Sequence, residues 1–146
     1  MTDTQGALAE RAFRIFQDGG LRGNPDSIER TVLAKASRFF GTAAKVQLLE
    51  WCGEGGPEGY YADLVSVSVD VPRRQVEPIG TKVVPIHGIK GNTQEEIAAK
   101  MVVEARPAFD ADANLYAEID WVVTCVDPEL DGFSYKCRKG KVFQVG

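Results

Sequence analysis

The sequence is poor in the residues that make chemistry easy to locate. Among 146 residues there is one histidine, His87, and there are three cysteines, Cys52, Cys125 and Cys137. Three scattered cysteines make neither a disulfide framework nor a zinc cage, and a reducing, cytoplasmic setting is the expectation. One histidine and dispersed carboxylates supply no metal-ligand spacing, so no metal and no cofactor is expected. No apolar run approaches the roughly 18 residues that span a bilayer. The opening MTDTQGALAE lacks the basic flank and apolar stretch of a signal peptide. No segment recurs at a fixed period, which sets repeat architectures aside.

What is present is an ordinary globular mixture. Apolar residues make up 44% and charged residues 26% of the chain. That mixture argues against wholesale disorder, and the length suits one domain over 1–146 with a core of its own.

Two helices are predicted first. Over 5–18, Leu8, Ala12, Ile15 and Phe16 make an apolar stripe at helical spacing, with Thr4 as cap and Gly19-Gly20 as stop. Over 24–40, Asn24 caps, Pro25 takes the first helical position, and Ile28, Val32, Ala36 and Phe39 form the stripe. From residue 43 the period changes to two. Strands are predicted at 44–52, at 62–71 with Val65, Val67, Val69 and Val71 on one face, and at 80–87, where Pro85 marks an edge. GEGGPEG between the first two reads as a hairpin loop. Thr93 and Glu96 form a capping box opening a helix over 94–106. The 115–126 strand puts Leu115, Ala117, Ile119, Trp121, Val123 and Cys125 on one face and Tyr116, Glu118, Asp120 and Thr124 on the other. The tail reads as a last hairpin turning at Arg138-Lys139-Gly140. The order ααβββαβββ gives an α+β domain with a mostly antiparallel sheet covered on one face by helices.

The net charge of −4 hides a segregated map. Acids dominate 46–72 and 104–131, while the tail carries Lys136, Arg138, Lys139 and Lys141. An acidic surface steers a basic protein partner and makes nucleic acid an improbable ligand. It also serves solubility alone.

Three places can carry chemistry. Glu118 and Asp120 point to one face about 6.5–7 Å apart by strand rise, a spacing at which two carboxylates share acid and base work if one is desolvated. Tyr116, Thr124 and Tyr135 are hydrogen-bonding neighbours. The competing reading is a solvated strand face. His87 leads through a glycine turn to Lys90, Asn92 and Thr93 at a helix N-terminus, where an anion is favoured. The run lacks the spacing of a phosphate loop, so a surface histidine is the alternative. Tyr60 and Tyr61, leaving an acidic loop, are either interface anchors or the first core residues of the next strand.

Three functions compete. The first is a non-catalytic acidic binding protein that docks a basic partner of inhibitor, immunity or accessory type through Tyr60, Tyr61, Glu118 and Asp120. The second is a small-molecule binder or enzyme, with its pocket between a curved sheet and the helices. The third is a homo-oligomer pairing its half-apolar sheet face with its own copy.

Overall fold

A computed structural model gives the fold and describes residues 14–56, 59–71, 76–127 and 132–146. The elements are β1 (Arg14–Asp18), β2 (Leu21–Gly23), α1 (Pro25–Phe40), β3 (Lys45–Gly56), β4 (Gly59–Asp70), β5 (Pro78–Ile86), β6 (Ile89–Gly91), α2 (Gln94–Ala105), a 3-10 turn (Arg106–Ala108), β7 (Leu115–Asp127) and β8 (Gly132–Val145). They form a single-domain α+β fold around one mixed sheet. Across the sheet the strands run β3–β4–β1–β7–β8–β5, with β2 continuing the lane of β1 beside β4 and β6 continuing that of β5 beside β8. Every pairing is antiparallel except β1 with β7.

The expected first helix is corrected. Arg14–Asp18 is a strand with strict alternation of burial, and residues 5–13 of that expected helix lie outside the described residues. Ile15 and Phe16, read as neighbours on one helical stripe, point to opposite faces of the sheet. The strand signal was masked because two of its three buried side chains, Arg14 and Asp18, are polar and only Phe16 between them is apolar. Wedged between β4 and β7, the segment takes its conformation from ladder hydrogen bonds rather than from local periodicity.

The second helix forms as its sequence dictates. Asn24 Oδ1 accepts a hydrogen bond from the Ser27 amide at 2.8 Å, Pro25 opens the helix, and Gly41 closes it at a φ of 95°. Its stripe of Ile28, Val32, Ala36, Phe39 and Phe40 is buried. The rings of Phe39 and Phe40 reach Tyr135 and Phe16 respectively. Thr93 Oγ1 likewise accepts from the Glu96 amide at 3.2 Å and starts α2.

Both helices lie on one face of the sheet. Phe16, Val67, Val122 and Cys137 follow one another across the register and are fully buried there. Gly140 faces the same way, since a Cβ on it would meet Met101 Cε of α2 at 2.7 Å.

Three further expectations change. The 53–61 loop is largely strand: β3 and β4 pair from Lys45↔Asp70 out to Gly56↔Gly59. The turn expected at 138–140 does not exist, because β8 runs unbroken and is paired by β7 on one side and by β6 and β5 on the other. Finally, β7 slips register between Ile119 and Trp121. Leu115, Ala117 and Ile119 face the helices as expected, but past the irregularity Val122 takes the helix side and Trp121 turns to the other face, half-buried.

The chain also repeats itself in topology. The series β1, β2, α1, β3, β4 and the series β5, β6, α2, β7, β8 have the same strand order and directions, each hairpin flanked by its own first strand. The absence of a fixed sequence period concealed this. The two units join where β1 lies parallel to β7.

Candidate functional site

Alternation along the strands defines the face turned away from the helices. One row across it reads Ser68, Ile15, Trp121, and the next reads Ser66, Gln17, Val123, Lys136, Lys90. Glu118 and Lys141 form a further cross-strand pair, as do Tyr116 and Phe143, whose rings stack at 5.9 Å. Cys125 and Ser134 pair at the other end. This face is recessed rather than washed by solvent: Ser66, Ser68, Glu118 and Ser134 are each at least nine-tenths buried, and Trp121, Val123 and Lys136 are half-buried. A sheet face this polar and this sheltered is neither an apolar core nor a wet exterior.

The two carboxylates singled out by sequence are side by side. The Lys141 ammonium forms an ion pair with Glu118 and lies 3.5 Å from Asp120 Oδ2. The carboxylate side chains are 10% and 13% exposed. Sharing one cation, they sit in matched environments, whereas acid–base division needs unequal ones. Their spacing was legible, but Lys141 was not, because it arrives from the strand opposite.

Further along these strands, several buried polar side-chain atoms have no hydrogen-bond partner among the described residues. These include Trp121 Nε1, Thr124 Oγ1 and Ser134 Oγ, all on the β7–β8 hairpin. Cationic groups surround the tryptophan. Arg138 Cζ lies 6.0 Å from its ring centroid, Lys139 is its register partner, and Lys136 is in the adjacent row. Thr124, expected with Glu118, pairs instead with Tyr135 on the helix side, a consequence of the slip before Trp121. Tyr135 is fully buried there and donates to the Lys35 carbonyl at 3.1 Å, so it faces away from the recessed surface. Burial raises its phenol pKa.

The His87 region resolves differently. His87 is exposed on the break between β5 and β6, where Gly88 takes a φ of 82°. The helix N-terminus beyond it is served by its own side chains: Glu96 Oε2 accepts from the Asn92 amide at 2.7 Å, and Thr93 caps. An incoming anion would compete with that carboxylate. Of the group His87, Lys90, Asn92 and Thr93, only Lys90 shares a row with the recessed face, and Tyr116 stands on that face away from α2.

Tyr60 and Tyr61 are 43% and 39% exposed, which discards their reading as core residues. Arg22 stacks over Tyr61 at 5.2 Å, and Tyr60 meets the edge of Trp51 at 6.4 Å. They sit at the far end of β4 from Ser68, so the structure does not bring them together with Glu118 and Asp120.

Cys137 is fully buried, its thiol pushed up to about 11 by burial, and it pairs with Val122. Cys125 is half-buried and Cys52 exposed, and all three cysteines are free. A separate cleft of about 340 Å³ opens between β5 and the 3-10 turn, lined by Ile79, Lys82, Phe109, Asp110 and Gln144. Among the described residues no three His, Cys, Asp or Glu side chains gather as metal ligands, and no helix is long and apolar enough to cross a membrane. No family model matches the sequence, and no curated protein or solved structure matches it.

Proposed function

We propose that the protein is a non-catalytic receptor for a small planar organic anion, held on the sheet face away from the helices. The observation that carries this reading is the pair Trp121 Nε1 and Ser134 Oγ, buried hydrogen-bonding groups on that face with no hydrogen-bond partner among the described residues. A buried donor left in this state costs about 1–3 kcal/mol, which a ligand acceptor recovers. An indole N–H only donates, so the complementary group is an acceptor such as a carboxylate. Lys136, Arg138, Lys139 and Lys90 supply the opposite charge, while the nearby acids are already engaged by Lys141. The indole offers a flat apolar wall.

The test uses the Trp51→Phe variant, in which Trp121 is the sole tryptophan. Titration with the anionic dye 8-anilinonaphthalene-1-sulfonate quenches its fluorescence, the cationic dye proflavine does so far less, and Ser134→Ala weakens the anion. Equal response to both dyes, or none to either, overturns the reading.

A second reading places a basic protein partner on the β3–β4 hairpin. The exposed Tyr60 and Tyr61 beside the exposed Glu54 and Asp63 favour it. It requires a protein complex that dissociates steeply with salt and is lost in the Tyr60→Ala/Tyr61→Ala variant.

A further inference from the structure

Val123 is the floor of one patch on the recessed face. Its neighbours across the strands are Gln17 on β1 and Lys136 on β8. Along β7 the next residues on that face are Trp121 and Cys125, and Ser134 stands opposite Cys125, two residues from Lys136. The two buried groups that lack hydrogen-bond partners on this face, Trp121 Nε1 and Ser134 Oγ, therefore border the same patch.

The row through Val123 is polarised. At one end Lys136 and Lys90 are register partners, and among the described residues neither ammonium has an ion pair or a hydrogen bond. Like charges set directly opposite each other on paired strands are destabilising, and an anion between them removes that cost. At the other end is Gln17, and beyond it Ser66, which is nine-tenths buried. Gln17 is half-buried, and its carboxamide makes no hydrogen bond among the described residues. A carboxamide both donates and accepts but carries no charge. None of the five residues in this row is acidic.

On the receptor reading proposed above, we infer that the ligand is an aromatic carboxylate with a second, uncharged polar group. That group, a hydroxyl or an amine, sits at the end of the ring opposite the carboxylate. The carboxylate takes the Lys136 and Lys90 end with Ser134, the ring lies over Val123 against Trp121, and the second group hydrogen-bonds Gln17. Ladder spacing fixes the scale. Gln17 and Lys136 are two strand intervals apart, about 9–10 Å, which suits one benzene ring with substituents at opposite ends. A group beside the carboxylate does not reach Gln17. Lys136 thus selects the charge, and Gln17 selects among ligands of equal charge.

Trp51→Phe protein, with Trp121 as its only tryptophan, is titrated with benzoate, para-hydroxybenzoate and ortho-hydroxybenzoate. Para-hydroxybenzoate quenches Trp121 with a Kd roughly threefold to tenfold below that of benzoate, the worth of one neutral hydrogen bond. Ortho-hydroxybenzoate shows no such gain. These comparisons use one protein, so they do not depend on the folding of any site variant. Gln17→Met removes the gain, while Lys136→Met weakens benzoate and para-hydroxybenzoate together. Equal affinity for those two acids, or a gain that Gln17→Met keeps, overturns the inference and leaves the receptor reading standing. So does silence toward all three acids while 8-anilinonaphthalene-1-sulfonate still quenches. Silence toward that dye as well overturns the receptor reading and this inference with it.

Discussion

The Asp18 carboxylate and the Lys35 ammonium meet at 3.0 Å with side chains only 2% and 10% exposed, one on β1 and the other on α1. Asp18 also accepts from the Gly19 amide at 2.9 Å. Burial nonetheless raises the Asp18 pKa above its ordinary 3.8, so desolvation outweighs the help from Lys35 and Gly19. Removing one partner strands a buried charge: Asp18→Ala or Lys35→Ala is expected to cost about 3–5 kcal/mol, while Asp18→Leu with Lys35→Met is near neutral or stabilising. Urea unfolding of the singles and the double decides it. The sign with pH follows. A native pKa above the unfolded one makes this group's contribution greatest in acid and loses it as pH rises through the native value, so the acidic arm of the stability profile is flatter with Asp18 than with a carboxylate of depressed pKa.

Cys137 gives an alkaline counterpart. Its thiol is held near 11 against an ordinary 9.0. Between those values the unfolded chain ionises and the folded one does not, so stability is lost as pH rises from 9 towards 11, by roughly 2–3 kcal/mol. Cys137→Ala removes that slope while costing packing at every pH. Thiol labelling supplies an independent check. At neutral pH exposed Cys52 reacts first and half-buried Cys125 more slowly, and Cys137 reacts only on unfolding.

How much of this was legible in the sequence depends on where each signal resides. The α1 cap and stripe are local, set by Asn24, Pro25 and the spacing from Ile28 to Phe39, and they were read correctly. The Val65, Val67 and Val69 alternation was local too. What failed was non-local. Arg14–Asp18 is a strand because β4 and β7 flank it, and nothing in RIFQD states that. The slip between Ile119 and Trp121 reverses every assignment beyond it, moving Trp121 onto the recessed face and Thr124 off it. Glu118 and Asp120 were found by spacing alone, but the residues that define their surroundings, Lys141, Ser134 and Lys136, come from β8 in a register no local pattern encodes.

The cap at Asn24 is the simplest quantity to check. Its Oδ1 is the acceptor for the Ser27 amide at the start of a helix that covers β3 and β4. Asn24→Ala is expected to destabilise the fold by about 1 kcal/mol, and Asn24→Ser to restore most of that. Thermal unfolding measures both. Equal loss in the two variants would mean that the side chain matters for something other than the cap.

Lys141 tests the recessed face from the side of its charges. It is the cation common to Glu118 and Asp120, and replacing it with methionine keeps the stem while leaving two sheltered carboxylates facing each other. Losing the shared cation is expected to weaken the fold at neutral pH by about 3 kcal/mol. Removing one of the two charges as well, in Lys141→Met with Glu118→Gln, is expected to regain part of that loss. Chemical denaturation of the single and double variants separates these outcomes. A double variant as weak as Lys141→Met alone would show that the lysine acts through its packing and not through the two acids.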